Sequence, residues 1–375
     1  MSTTPVPASA APGPAGSPAA GPAARLASLD AFRGFTMFWI VQGKGIVEGL
    51  RALGNNPVLT GLTYELDHSA WQGLRYYDCI WPSFMFMVGV SVPFAVARRS
   101  QTQTNRQILL HAFRRAAILF LLGSLRETAS LGSPFLIELS SALQPIAIAY
   151  LVSVLLSRTG PRVQALAGAG LLAGYGLLLT LVPPLSAAPS HYMIHANLVT
   201  DLDQELLRRA HPEGWGTVIS TIPTISTTIL GLMIGEVLRS ARSARSKLKI
   251  LAATGAVGLA LGYFVAVFVP VVMKMWTVSY GILTAAWACL MLAAFYWIID
   301  MRGWRKWSFP FIVIGMNALA AYLAGTLTQF DRIVAIVTKS APLGALQPLT
   351  SAVLLFGIEW LILFWMYRRR IFLSA

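Results

Sequence analysis

Apolar runs long enough to be helices alternate with short polar joints along nearly the whole chain. Ten such runs predict ten membrane-crossing helices, because roughly 20 residues at 1.5 Å rise span the hydrocarbon core of a bilayer. They fall at about Phe32–Val47, Ile80–Val96, Ile108–Leu125, Ala142–Leu156 and Val163–Val182. The remainder lie at about Val218–Val237, Leu251–Val269, Val278–Ile299, Phe309–Leu327 and Leu349–Met366. The pattern predicts an all-α polytopic membrane protein.

The joints differ in charge. Arg98, Arg99 and Arg106 follow the second run, and Arg158 and Arg162 the fourth. Arg239, Arg242, Arg245, Lys247 and Lys249 follow the sixth, Arg302, Arg305 and Lys306 the eighth, and Arg368, Arg369 and Arg370 the tenth. Retention of Lys and Arg on the cytoplasmic side then puts both chain ends inside. The odd joints carry acids instead: Glu48, Glu65 and Asp67 beside His68 after the first run, Glu127 and Glu138 after the third. The long joint over residues 183–217 belongs outside with them.

Composition supports the same class. Of 375 residues, 56% are hydrophobic and only 12% charged, against roughly 25% charged in soluble domains. A net charge of +14 raises the question of nucleic acid, but the cations sit in the joints and make no basic face with interleaved aromatics. No nucleic-acid partner is expected. Cys79 and Cys289 both lie in apolar runs and read as buried small hydrophobes. Residues 1–24 are almost all Ala, Pro, Ser, Gly and Thr, a disordered tail lacking the features of a signal peptide, so residues 25–375 are expected to form one membrane domain.

Ionisable groups at membrane depth are costly and therefore candidates for function. Asp30 and Arg33 stand three residues apart at the start of the first run, on one helix face where they can pair. The plainer reading is a first-turn acid and a snorkelling Arg. His68 lies at the outer joint with Asp78 ten residues on. A neutral imidazole can take a proton from an amine or hydroxyl near pH 7, and an acid can hold its tautomer. An interfacial His capping a loop would look the same. Gln42 could donate to a carbonyl oxygen, and Lys44 could neutralise a phosphate, pair with Glu65 or Asp67, or snorkel. Lys274 beside Trp276 fits an interfacial anchor, and Asn317 an interhelical hydrogen bond. Pro223 among Thr221, Thr224 and Ser226 suggests a kinked helix lining a cavity. No P-loop, nucleophile elbow or metal-ligand spacing occurs, so no metal is expected.

The order of these residues resembles the heparan-α-glucosaminide N-acetyltransferase family of transmembrane acyltransferases, in particular its bacterial branch. The similarity begins at Arg25-Leu26-Ala27-Ser28-Leu29-Asp30-Ala31-Phe32-Arg33-Gly34 and continues at His68-Ser69-Ala70-Trp71-Gln72-Gly73-Leu74, Asp78 and Trp81-Pro82-Ser83-Phe84-Met85-Phe86-Met87-Val88-Gly89. Later markers are Pro212-Glu213-Gly214, Thr221-Ile222-Pro223, the segment from Lys274 to Tyr280, Gly315-Met316-Asn317-Ala318 and the close from Tyr367 to Phe372.

The resemblance implies transfer of an acetyl group from cytoplasmic acetyl-CoA, as cosubstrate, to the amine of a glucosamine-type sugar across the inner membrane of a bacterium. It places the family's active-site histidine on His68 and the accompanying aspartate on Asp78. The family asparagine of the first helix falls on Gln42, a longer amide that would polarise the thioester carbonyl. Asp30, Arg33, Lys44, Lys274 and Asn317 are the positions assigned to the acetyl-CoA side. Pro145 stands after Gln144 where many relatives carry Arg. The family further suggests a homodimer. Two other functions fit the same pattern of helices: a secondary transporter for an amino sugar, and an O-acyltransferase acting on an exported polysaccharide.

Overall fold

The computed structural model describes residues 26–131, 142–186, 190–208, 211, 213–328, 330–339 and 343–373. The tail 1–24, Arg25, Glu138 and Pro212 lie outside the described residues. The described chain is all-helical, apart from two isolated bridges, Gln72 with Val272 and Met193 with Ala196. In chain order the helices are α1 (Ala27–Ala52), α2 (Pro57–Glu65), α3 (Ile80–Arg99), α4 (Asn105–Leu131), α5 (Leu143–Leu156), α6 (Pro161–Leu181) and α7 (Leu198–Leu207). They continue with α8 (Thr221–Arg239), α9 (Ala244–Ala266), α10 (Val278–Phe295), α11 (Phe309–Met316), α12 (Ala318–Leu327), α13 (Phe330–Lys339) and α14 (Gln347–Arg368).

Seven of the described helices are long and apolar enough to cross a membrane, and an eighth crossing is added if the bent pair α11–α12 counts as one. This is a multi-pass membrane protein. The ninth apolar run breaks at Asn317, where two segments meet at 72°. Asn317 leaves helical geometry, with φ −127° and ψ 38°, and its buried side chain bonds the carbonyl of Ile371 and the N–H of Leu373 at 3.1 Å each. The amide that looked like an interhelical contact ties down the segment after α14 instead.

Two of the ten runs do not meet the crossing criterion. α5 has 14 residues, about 21 Å at 1.5 Å rise, and the ten residues before Ala142 lie outside those described. α1 has 26 residues but carries Asp30, Arg33, Lys44, Glu48 and Arg51. Its polarity is tolerated because it packs against α3, α10, α11, α12 and α14 and so meets protein rather than lipid.

Small residues set the closest helix contacts, since lipid tails offer no hydrophobic drive and packing must supply the affinity. α1 and α11 touch through Gly34 and Gly315: a Cβ on Gly34 would lie 1.7 Å from the Phe311 carbonyl oxygen, and one on Gly315 2.0 Å from that of Asp30. α3 and α8 run parallel and meet through Gly89 and the Gly231-x-x-x-Gly235 pair; a Cβ on Gly231 would lie 2.1 Å from the Phe86 carbonyl oxygen. Gly34→Ala forces backbone apart rather than a side chain aside, and is expected to cost about 3 kcal/mol. A fall in the monodisperse fraction on size-exclusion chromatography in detergent checks it.

α10 extends through a π-turn at Tyr296–Met301, and this turn presents Asp300 to the start of α1. The Asp300 carboxylate accepts the N–H groups of Ala27 and Ser28 at 3.2 and 3.3 Å. It performs from another helix the capping that Leu26 cannot.

Candidate active site

The loop between α2 and α3 builds the site by tying itself together. Asp78 is buried in a single 3-10 turn, Tyr77–Cys79, ahead of α3. Its carboxylate accepts the Arg75 N–H at 3.0 Å and the Ser69 N–H at 3.3 Å, and receives His68 Nδ1 at 2.9 Å. Arg75 in turn donates to the His68 carbonyl at 2.8 Å while its guanidinium lies 4.0 Å over the Tyr64 ring. Gly73, at φ +117°, makes the turn that other residues resist, and its N–H reaches the Val271 carbonyl. Tyr280, from α10, donates to the Asp78 carbonyl at 2.7 Å and pins the turn from below.

His68 is thus oriented from three sides. The Tyr77 and Trp215 rings meet it edge-on at 4.6 and 5.5 Å, and Asp78 holds Nδ1. In the neutral ring, a carboxylate acceptor at Nδ1 puts the proton there and leaves the lone pair on Nε2. The His68 side chain stays 40% exposed and that of Asp78 0%, so the imidazole is reachable and the carboxylate behind it is not. The ten-residue spacing and the proposed contact between these two side chains are both present in the fold.

His68 and Asp78 line a cavity of about 500 Å³ together with Arg126, Trp215, Lys274 and Tyr322. Lys274 donates to the Glu213 carbonyl at 2.9 Å. Trp215 donates to the Glu213 carboxylate at 3.0 Å, and that bond holds the Glu213 carboxyl below its ordinary range. Trp276 adopts φ +51°, a left-handed conformation rare for a bulky residue. Trp81 and Tyr280 fix its ring edge-on at 4.9 and 5.3 Å. Backbone strain of this kind persists where surroundings over-determine it, and here it forms the cavity wall.

Asp203 of α7 supports that wall. Its carboxylate accepts the N–H groups of Thr217 and Val218 at 2.9 and 3.0 Å; burial pushes its carboxyl above the usual range, opposed by these bonds. Asp203→Ala strands two backbone donors and is expected to cost about 2 kcal/mol, measured as a lower melting temperature of the purified protein.

A second cavity, of about 470 Å³, opens toward the other end of the bundle. Asp30, Arg33, Arg98 and Arg115 line it. Arg33 contacts Asp30 at 3.5 Å, as its spacing predicts, and also donates to Ser91 at 2.6 Å. Arg115 lies 4.7 Å over the Tyr150 ring. Ile40, Trp81, Ala142 and Tyr322 line both cavities, so the two meet at these side chains. At this neck Arg126 rests 4.4 Å over Tyr322 and pairs with Glu127 at 2.7 Å.

The other expected site residues lie elsewhere. Gln42 is buried and donates to Glu359 of α14 at 2.6 Å, and it lines neither cavity. Lys44 is 88% exposed and approaches Glu48 at 3.9 Å; Asp67 is taken by Arg51 and Glu65 by the Tyr76 N–H. Asn317 holds the C-terminal segment. Arg126, Tyr322 and Glu359 were not anticipated. For Glu359 the signal was available: one carboxylate in the apolar run Phe356-Gly357-Ile358-Glu359-Trp360-Leu361. For Arg126 only its place at the end of the third run marked it.

Fold and site together define a multi-pass helical membrane protein with two adjacent cavities that share four lining residues, and an oriented histidine in one of them. A comparison with protein-family models finds no match to the chain, and a comparison with curated proteins finds none either.

Proposed function

We propose that the protein is a transmembrane acetyltransferase of the heparan-α-glucosaminide N-acetyltransferase kind, moving an acetyl group from acetyl-CoA to the amine of a glucosamine-type sugar. The observation that carries this reading is the neck: a cavity with three arginines and a cavity with a reachable imidazole share Ile40, Trp81, Ala142 and Tyr322. In this reading ten segments cross the inner membrane with both ends in the cytoplasm, and α1 and α5 are crossings shielded by their neighbours. The basic loops then face the pool of acetyl-CoA.

Arg33, Arg98 and Arg115 hold the phosphates of the cosubstrate, as guanidinium groups favour phosphate oxygens. The neck passes the thin pantetheine arm and stops the nucleotide. His68 Nε2 takes the proton from the attacking amine, and Asp78 stabilises the resulting imidazolium. As the new C–N bond forms, the carbonyl oxygen gains charge; the C–S bond then breaks and His68 returns the proton to the thiolate. Arg126, on the wall beside the neck, supplies the positive charge that the oxyanion needs, a role that Gln42 is not placed to fill.

Two adjacent cavities would also suit a sugar transporter, in which the His68–Asp78 pair would carry a coupled proton. Release of CoA thiol by detergent-purified protein, with and without glucosamine, tests the reading. Amine-dependent release supports it. No turnover with any amino sugar, together with saturable sugar uptake into liposomes, would replace it with the transporter; ester rather than amide product would make the enzyme an O-acyltransferase.

A further inference from the structure

A third cavity, of about 500 Å³, lies apart from the passage, in a cleft among α6, α8, α9 and α10. Its wall is mostly apolar and small: Ala253, Val257 and Gly258 from α9 face Ala285 and Ala286 from α10, beside the hydroxyls of Ser226, Thr227 and Thr254. α9 lies flat on α10 because Gly255, Gly258 and Gly262 present no side chain there; a Cβ on Gly258 would lie 2.8 Å from that of Ala286. Val257 is 66% exposed on the outer surface of α9, so the cleft faces the lipid phase and needs an apolar occupant.

The basic end of the same helix says which. Lys249 stands four and eight residues before Ala253 and Val257, and Lys247 seven and eleven before Thr254 and Gly258, so each shares a face with part of the groove. The two cations therefore straddle the mouth of the cleft. Neither forms a salt bridge among the described residues. From Lys249 to Val257 is eight residues, about 12 Å along the axis, the depth to which an acyl chain reaches below a headgroup held at the interface.

We propose that this groove binds an anionic membrane phospholipid, its phosphate at the Lys247 and Lys249 end of α9 and one acyl chain in the cleft. Retention of Lys in cytoplasmic loops explains a basic loop in general; it does not explain a cleft at acyl depth on the two faces those lysines share. Helix-flanked basic pockets of this kind select anionic headgroups. α8 and α10 form the back of the groove through Leu230 and Gly281 and also the wall of the His68 cavity through Thr224 and Tyr280. The lipid is thus a wedge behind the candidate active site.

The test uses the full chain in nanodiscs of phosphatidylcholine doped with phosphatidylglycerol or phosphatidylcholine probes that carry a diazirine in one acyl chain. After irradiation, labelled residues are mapped by mass spectrometry. The phosphatidylglycerol probe is expected to label residues 253–258 and 281–286 about tenfold more than the phosphatidylcholine probe. Lys247→Gln with Lys249→Gln is expected to remove that preference, and Val257→Trp to reduce labelling by both probes. Equal labelling of wild type by the two probes, or labels spread evenly over other lipid-facing helices, would overturn the proposal without requiring any variant to fold. Loss of preference in the double variant with no effect of Val257→Trp would reduce the site to surface attraction and overturn groove occupancy. No turnover is measured, so the outcome is independent of the acetyltransferase reading.

Discussion

His68→Ala is expected to lower amine-dependent release of CoA by roughly 10²–10⁴-fold, the range that general acid–base groups contribute. The proton on the attacking amine then loses the base placed for it: Lys274 and Arg126 on the same wall are donors only, and Asp78 and His211 remain as the poorer-placed acceptors. The loss falls on kcat, because the cavity that binds both substrates keeps its shape and gains space. Asp78→Asn separates orientation from base chemistry. An amide placed against Nδ1 presents either a donor or an acceptor where the Ser69 and Arg75 N–H groups also need acceptors. It removes the charge opposite the imidazolium and favours the wrong tautomer, with an expected fall on the order of 10²-fold or more. Initial rates across a range of glucosamine concentrations check both. Wild-type kcat in His68→Ala would remove the imidazole from the mechanism and leave it as a loop cap.

Ile40→Trp is expected to abolish transfer by at least ~10²-fold while leaving CoA binding within about threefold of wild type, since displacements near 1 Å at a reacting centre already cost that much. Ile40 lines both cavities, and a bulkier ring there fills the neck it shares with Trp81, Ala142 and Tyr322. The arginines of the inner cavity are untouched, so calorimetric titration with CoA reports a site still present. Turnover measured on the same preparation reports whether the thioester still reaches His68. Full activity in Ile40→Trp would show that the acetyl group does not pass this way.

Much of the architecture is legible along the chain, and for one reason. A backbone in lipid must satisfy its own hydrogen bonds, so an apolar run of the right length is a helix whatever its neighbours do. α3, α6, α8, α9 and α10 begin and end within about seven residues of the apolar runs that predict them. The His68–Asp78 pair is legible for a similar reason: both residues lie in one short loop, ten residues apart, although Tyr280 and Trp215 from distant segments then fix the turn and the ring.

Contacts between distant segments are another matter. Gln42 lies in the first helix and reads as a candidate carbonyl donor, yet its partner is Glu359, 317 residues away, and nothing in either local sequence names the other. Asp300 caps α1 across 273 residues, and Asn317 breaks a helix that hydropathy alone makes continuous. Arg126 gains its place beside the cavity only because Tyr322, 196 residues further on, comes to lie beneath it. The sequence by itself determined the class of protein, the course of most of its long helices and a histidine within reach of an aspartate, because short-range spacing and the demands of lipid act locally. Only the tertiary structure decided that two cavities share four lining residues, that Arg126 and not Gln42 faces the first of them, and which glycines let helices touch. Those features depend on which helix packs beside which, and that is set by the summed shape of many surfaces rather than by any one segment.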